Sequence, residues 1–239
     1  IEYSQYYLFL SSLCLYNEDT QVLFDNFINT FPFSEKKEDA IFFMSEYLFE
    51  KKKYHKVVDL LSGLNLYQLK GQQKYFAFFY LGYSSYKIHK YELAKNSFYE
   101  LIVNSHNPYR DDAVFYNAYI LFLEGNKELA LSGFQSLKNS KKYLKQVPYY
   151  ISKILFDLRQ YSELSNYLEP ILDSNRCDHY QDLVLLQAKA LYQEEKYDPA
   201  IVYFEEYKGL KDTLTRSQLY HMGIAYYHKK LYGFAINHL

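Results

Sequence analysis

The side chains that could do chemistry in this chain are scattered, and they form no recognisable catalytic set. His221 and His228 are seven residues apart and could share a helix face, but no nearby Cys or acid completes a metal site. No phosphate-binding G-x-x-x-x-G-K-[ST] segment occurs, and neither G-x-S-x-G nor H-E-x-x-H is present. The adjacent acids Glu205 and Glu206 point to different sides of a helix. We therefore expect no enzyme activity, no metal and no cofactor.

The most regular feature of the sequence is an aromatic residue that recurs after 37, 36, 34, 36 and 35 residues. Such a period is typical of stacked helical hairpins, because each repeat must present the same face to the next one. We call these residues the aromatic ladder, and they are Phe49, Tyr86, Phe122, Phe156, Tyr192 and Tyr227.

Small and large side chains keep fixed distances from the ladder. The residue four positions earlier is always Gly, Ala or Ser, in Ser45, Gly82, Ala118, Ser152, Ala188 and Gly223. The residue eight positions later is small or aliphatic, in Val57, Ala94, Ala130, Leu164, Ala200 and Ala235. One helical turn further on stands a large apolar residue, in Leu61, Phe98, Phe134, Leu168, Phe204 and Leu239. This spacing predicts two amphipathic helices per repeat whose small and large positions interlock.

Turn signals divide the two helices of each repeat. Five residues past the ladder stands Lys127 in one repeat and tyrosine in the others, namely Tyr54, Tyr91, Tyr161, Tyr197 and Tyr232. Pro170 falls inside a second helix, which we expect to be short or kinked there.

Extending the register backwards places Leu15 on the ladder, Ser11 in the small position and Phe27 in the large one. It predicts a first helical pair over 3–16 and 20–30.

These patterns predict an all-α fold, a right-handed α-solenoid of about seven antiparallel helix pairs in one domain over 1–239. The expected repeats are approximately 1–33, 34–72, 73–108, 109–142, 143–178, 179–213 and 214–239, the last of them truncated. Because the chain starts at Ile1 and the last repeat stops within its second helix, we expect it to be a piece of a longer protein.

Composition excludes several other classes of protein. The net charge of −1, from 27 basic and 28 acidic residues, argues against a nucleic-acid binder. No apolar stretch is long enough to span a membrane. Cys14 and Cys177 would lie in repeats too far apart for a disulfide.

The repeat pattern resembles the tetratricopeptide repeat. The best copy runs from Leu81-Gly82 through Tyr91, Ala94 and Phe98. Two further copies carry Gly223, Tyr226, Tyr232 and Ala235, and Ala188, Tyr197, Ala200 and Phe204. The segments 27–34 and 107–113 resemble repeats of bacterial cell-envelope proteins, and 197–201 resembles long repeat proteins of Bacteroidetes-type bacteria. The resemblance implies a periplasmic or outer-membrane-associated location.

In this family the first helices line a concave face that binds peptides or protein segments. The resemblance therefore implies a protein-interaction scaffold with an aromatic-rich binding face. Its expected residues are Phe42, Phe49, Phe79, Tyr83, Tyr86, Phe115, Tyr119, Phe122, Tyr149, Phe156, Tyr192, Tyr220 and Tyr227.

Three questions stay open at this point. The rings could pack between successive helices, or they could form a partly open groove. The chain could also be a structural spacer within a larger protein, with the aromatic residues holding its helices together. A third alternative is a helical toroid that binds carbohydrate, which needs paired carboxylates among residues such as Glu46, Glu50 and Asp157.

Overall fold

The computed structural model describes residues 1–104, 106–174, 177–211 and 213–238, and within these ranges the regular elements are all helical. The chain divides into two compact units, Ile1–Glu124 and Gly125–Leu239. We call them the N-terminal and the C-terminal unit and describe each by itself. The expectation of one domain over the whole chain stays a prediction.

The N-terminal unit is a stack of helical hairpins. Each helix contacts the next one along the chain, and α1, α3, α5 and α7 also contact each other in series. A short 3-10 turn, Leu66–Gln68, lies between the second and third hairpins. The helices are α1 (Glu2–Cys14), α2 (Thr20–Thr30), α3 (Lys37–Glu50), α4 (Tyr54–Ser62), α5 (Gln73–Lys87), α6 (Tyr91–Val103) and α7 (Arg110–Leu123).

The C-terminal unit repeats this arrangement. Consecutive helices contact each other, and α9, α11 and α13 again contact in series. The helices are α8 (Lys127–Ser136), α9 (Val147–Asp157), α10 (Tyr161–Ser174), α11 (Tyr180–Gln193), α12 (Tyr197–Gly209), α13 (Arg216–His228) and α14 (Tyr232–Ile236). Both units therefore have the architecture of an all-α solenoid, as the period of the sequence predicts.

The core of each unit consists of the small and large positions that keep register with the ladder. All six small residues of the first helices are buried, and so are the six small or aliphatic residues of the second helices. Among the large residues Leu61, Phe98, Phe134, Leu168 and Phe204 are at most 1% exposed, whereas Leu239 lies outside the described residues. Burial of one such side chain contributes about 1.5–3 kcal/mol, so this register is a main source of stability.

The first helices that carry a ladder residue all end in the same type of turn. In the α3 turn, Lys52 adopts a φ of 56° and its N–H donates to the Phe49 carbonyl at 2.9 Å. The next N–H, of Lys53, donates to the Leu48 carbonyl at 2.9 Å. These two bonds define a Schellman motif, which satisfies carbonyls at the helix end and reverses the chain. The left-handed residue of each such turn is three past the ladder, at Lys52, His89, Gly125, Arg159, Glu195 and Lys230.

The expected register of the first helix is wrong, and so is the expectation that α10 is short. The first pair forms as predicted, but Leu15 and Ser11 are exposed, and only Phe27 is buried. The ladder register therefore does not extend into α1, whose buried residues are Tyr6, Phe9 and Ser12.

The helix α10 is not shortened by Pro170, because it continues to Ser174. Leu168 and Leu172 are buried on either side of the exposed proline. Packing of these two leucines compensates for the hydrogen bond that proline cannot donate.

Candidate functional site

The first helices of the N-terminal unit bring their aromatic side chains into one continuous set of ring contacts. The Phe49 ring lies 5.5 Å from Tyr83, and Tyr83 lies 6.1 Å from Tyr86. Tyr86 then contacts Tyr119 at 6.0 Å, and Tyr119 contacts Phe122 at 6.4 Å. Each such contact adds about 0.5–1.5 kcal/mol beyond simple burial. We call this surface the aromatic face, and it consists of Phe49, Phe79, Tyr83, Tyr86, Tyr116, Tyr119 and Phe122.

Tyr116 joins the face although the sequence reasoning did not select it. Its ring lies 5.0 Å from Tyr83 and 5.3 Å from Tyr86, and it also stacks on Phe98 of the core at 6.0 Å. Burial raises the pKa of its phenol, because the charged phenolate is disfavoured away from water. The missed signal was a further aromatic row, six residues before the ladder, which also includes Tyr80.

Tyr109 was also not among the residues predicted for the binding face. It precedes α7, and its ring stacks on Phe79 with the centroids 4.3 Å apart and the planes at 9°. A residue outside the helices thus covers one face of the Phe79 ring in α5. Nothing in the helical period could predict this contact, because the residue lies outside the helices.

The predicted binding residues differ widely in exposure. Phe42 and Phe115 are buried, at 4% and 5%, and they belong to the core. Tyr220 and Tyr227 are each 55% exposed. The other nine are partly exposed, and they are Phe49, Phe79, Tyr83, Tyr86, Tyr119, Phe122, Tyr149, Phe156 and Tyr192. The rings of the N-terminal unit thus both pack on one another and keep part of their surface open to solvent.

Charged groups border the aromatic face. The hydroxyl of the buried Tyr80 donates to Glu46 Oε1 at 2.9 Å, and burial together with this carboxylate raises the pKa of Tyr80. The Tyr16 hydroxyl donates to Glu50 Oε2 at 2.6 Å. Both carboxylates therefore serve as hydrogen-bond acceptors for tyrosines. This geometry does not resemble a pair of acids flanking a substrate bond.

The predicted binding residues have different neighbours in the C-terminal unit. Tyr149 stacks on His179 with centroids 4.3 Å apart, and Tyr192 contacts His221 edge-on at 5.4 Å. Phe156 instead packs on Tyr161 of its own hairpin at 5.4 Å. Burial lowers the pKa of Lys189, which lies one turn before Tyr192. Two of the contacts between successive hairpins here thus join a tyrosine to a histidine.

The two histidines considered as metal ligands pack against tyrosines. His228 stacks on Tyr197 at 4.4 Å with an interplanar angle of 1°, and His221 contacts Tyr192. Within the described ranges, no three His, Cys, Asp or Glu side chains converge as metal ligands do.

In the same ranges, no helix combines the length and apolar character that a bilayer span requires.

Comparison with solved structures shows that the fold is similar to that of tetratricopeptide repeat proteins. The C-terminal part of a TPR repeat-containing protein from Cytophaga hutchinsonii superposes with a TM-score of 0.61 at 16% identity, over 82% of this chain and 76% of that one. A tetratricopeptide repeat protein from Parabacteroides merdae gives 0.57 at 10% identity, over 99% and 90%. PilF of Pseudomonas aeruginosa gives 0.55 at 15% identity, over 84% and 88%.

No protein-family model matches the sequence, and no curated protein matches it either. At these identities the likeness concerns the fold alone.

Proposed function

From the tetratricopeptide-repeat fold of this chain, we propose that it is a non-catalytic scaffold that binds a peptide or protein segment. The binding surface is the aromatic face of the N-terminal unit. The single observation that carries this proposal is the partial exposure of a continuous row of rings on successive first helices. Contiguous exposed apolar surface is costly in water, and it normally marks a site where another molecule binds.

The face suits a peptide because its rings are held in place before binding. Tyr83 contacts rings on three sides, from Phe49, Tyr86 and Tyr116. Aromatic side chains that are already ordered lose little conformational entropy when a partner docks, and they dominate the energetics of many interfaces. A location in a bacterial envelope complex is part of the proposal, and it is motivated only by the resemblance of segments 27–34 and 107–113.

The test uses peptides selected from a random display library on the intact protein. Binding of the recovered peptides is measured by fluorescence anisotropy to the wild type and to the variant Y86S/F122S. We expect micromolar affinity for the wild type and a loss of at least tenfold in the variant. The matched control is Tyr99→Ser, which removes a ring that is 62% exposed on the second helix α6. It should bind like the wild type.

Circular dichroism melting establishes that each variant is folded at the assay temperature. If Y86S/F122S is not, the single variant Tyr119→Ser takes its place. A folded variant that binds every peptide as the wild type does would refute the proposal. It would favour a structural spacer, in which the rings only hold helices together.

A further inference from the structure

A basic pocket lies beside the aromatic face of the N-terminal unit. Its volume is about 340 Å³, and it forms where the turn between α3 and α4 meets the end of α5. Four lysines line it, together with one tyrosine, one histidine and one isoleucine, and these residues are Lys52, Lys53, Lys56, Lys87, Tyr54, His55 and Ile88.

Among the described residues, no acidic side chain neutralises the positive charge of this pocket. No carboxylate lines the pocket, and none of its four lysines forms an ion pair in the part of the chain that the structure describes. The Lys56 ammonium donates to the neutral amide of Gln21 at 3.4 Å. Four lysines around one cavity raise the local electrostatic potential, so an anion from outside would bind favourably.

Two residues of the pocket, Tyr54 and Lys87, contact the aromatic face. The Tyr54 ring lies 6.1 Å from Phe49 and 5.9 Å from Tyr83. The Lys87 ammonium lies over the rings of Tyr83 and Tyr86, at 5.2 and 5.4 Å. A segment that packs an apolar side chain on these rings can therefore place a neighbouring side chain in the pocket.

We propose that the pocket holds a carboxylate of the bound partner, which is an acidic peptide segment with Asp or Glu beside the residue that packs on the aromatic face. This inference rests on the proposed function and names the chemistry of the partner. A lysine ammonium group acts as a point charge and can bind a carboxylate from several directions. A pocket with four of them accommodates a carboxylate without demanding one fixed geometry.

The ring geometry favours a peptide over a single-stranded nucleic acid. Bases bind such proteins by stacking on open ring faces. Tyr83 instead meets the edges or faces of its neighbours at interplanar angles of 60–81°, and the Lys87 ammonium lies over its ring.

The test is a double-mutant cycle with a selected peptide. The tightest-binding peptide from the display selection is synthesised with its Asp and Glu residues intact and with Asn and Gln in their place. Both forms are titrated against the wild type and the pocket variant K53Q/K56Q/K87Q. The variant K138Q/K141Q/K145Q is the charge-matched control, since its three exposed lysines lie in the C-terminal unit.

We expect the recovered peptides to be enriched in Asp and Glu. Removing the acids should weaken wild-type binding about tenfold, and removing the pocket lysines should do the same. In the pocket variant, the acids should make little further difference, since they would have lost their partners. The control variant should behave like the wild type.

Peptides without an acidic bias, or additive effects in the cycle, would overturn the inference about the pocket. The proposed function would survive this result if the same peptides still required Tyr86 and Phe122. Loss of that requirement would instead refute the proposed function. Oligo-dT that binds through the pocket lysines, with no pocket-dependent peptide, would overturn the choice of partner.

Discussion

Gly82 shows how closely the two helices of a hairpin approach each other. A Cβ atom built on this residue would lie 2.7 Å from Cε1 and 2.9 Å from Cδ1 of Phe98. Phe98 is fully buried, so its ring cannot swing out into solvent to make room for a Cβ. The small position in α5 and the large position in α6 thus interlock as the sequence pattern predicts.

We predict that Gly82→Ala lowers the free energy of unfolding by about 1–3 kcal/mol, although alanine is the better helix former. Gly233→Ala is the matched control, because a Cβ there meets nothing within 4 Å, and it should be neutral or stabilising. Urea denaturation of both variants measures the difference. Equal effects at the two sites would contradict the interlocking, and partial rescue of Gly82→Ala by Phe98→Leu would support it.

At the residue scale, the sequence predicted which positions are buried but not how far each ladder ring is exposed. The small and large positions are in register because their spacing reflects the helical period directly. Exposure depends on side chains that arrive from other elements, such as Tyr109 from a loop and Tyr116 from the next first helix. Phe42 and Phe115 were expected on the binding face, yet both are buried, because spacing alone does not measure how deep a helix lies.

At the element scale, the turn after each first helix uses a left-handed residue, and in most repeats it is not glycine. Arg159 has a φ of 60° and donates its N–H to the Phe156 carbonyl at 3.0 Å. A residue with a Cβ in this conformation costs about 1–2 kcal/mol, which glycine avoids.

We therefore predict that Arg159→Gly raises the free energy of unfolding by about 0.5–1 kcal/mol, after the greater unfolded-state entropy of glycine is subtracted. The same substitution at Glu163, an exposed residue inside α10, should lower it by about 0.5–1 kcal/mol. Chemical denaturation compares the pair. A destabilised Arg159→Gly protein would show that the arginine contributes something that the turn geometry does not reveal.

The helices themselves were largely predictable, and their exceptions have physical causes. Polar turn residues and the Tyr that begins most second helices mark the boundaries well. The helix α10 continues past Pro170 because buried leucines on both sides stabilise it. The 3-10 turn Leu66–Gln68 was not foreseen, since it occurs in a connection whose buried residues, Leu66 and Leu69, follow no helical period.

At the scale of the whole molecule, each unit gains its stability from contacts between neighbouring helices. Such an architecture leaves the first helices of successive hairpins side by side, so a row of side chains on them forms one extended surface. The sequence could predict this surface as an expectation of the fold. It could not indicate the acidic partner that we propose, because that proposal rests on lysines that the α3–α4 turn and α5 place together.

Hydrogen exchange of the intact protein, with and without a saturating selected peptide, tests directly whether a peptide binds to the aromatic face. We expect slowed exchange in α3, α5 and α7, which carry the aromatic face, and in the turn at Lys52–Lys53. Protection confined to the second helices α4 and α6, or to the C-terminal unit, would contradict it.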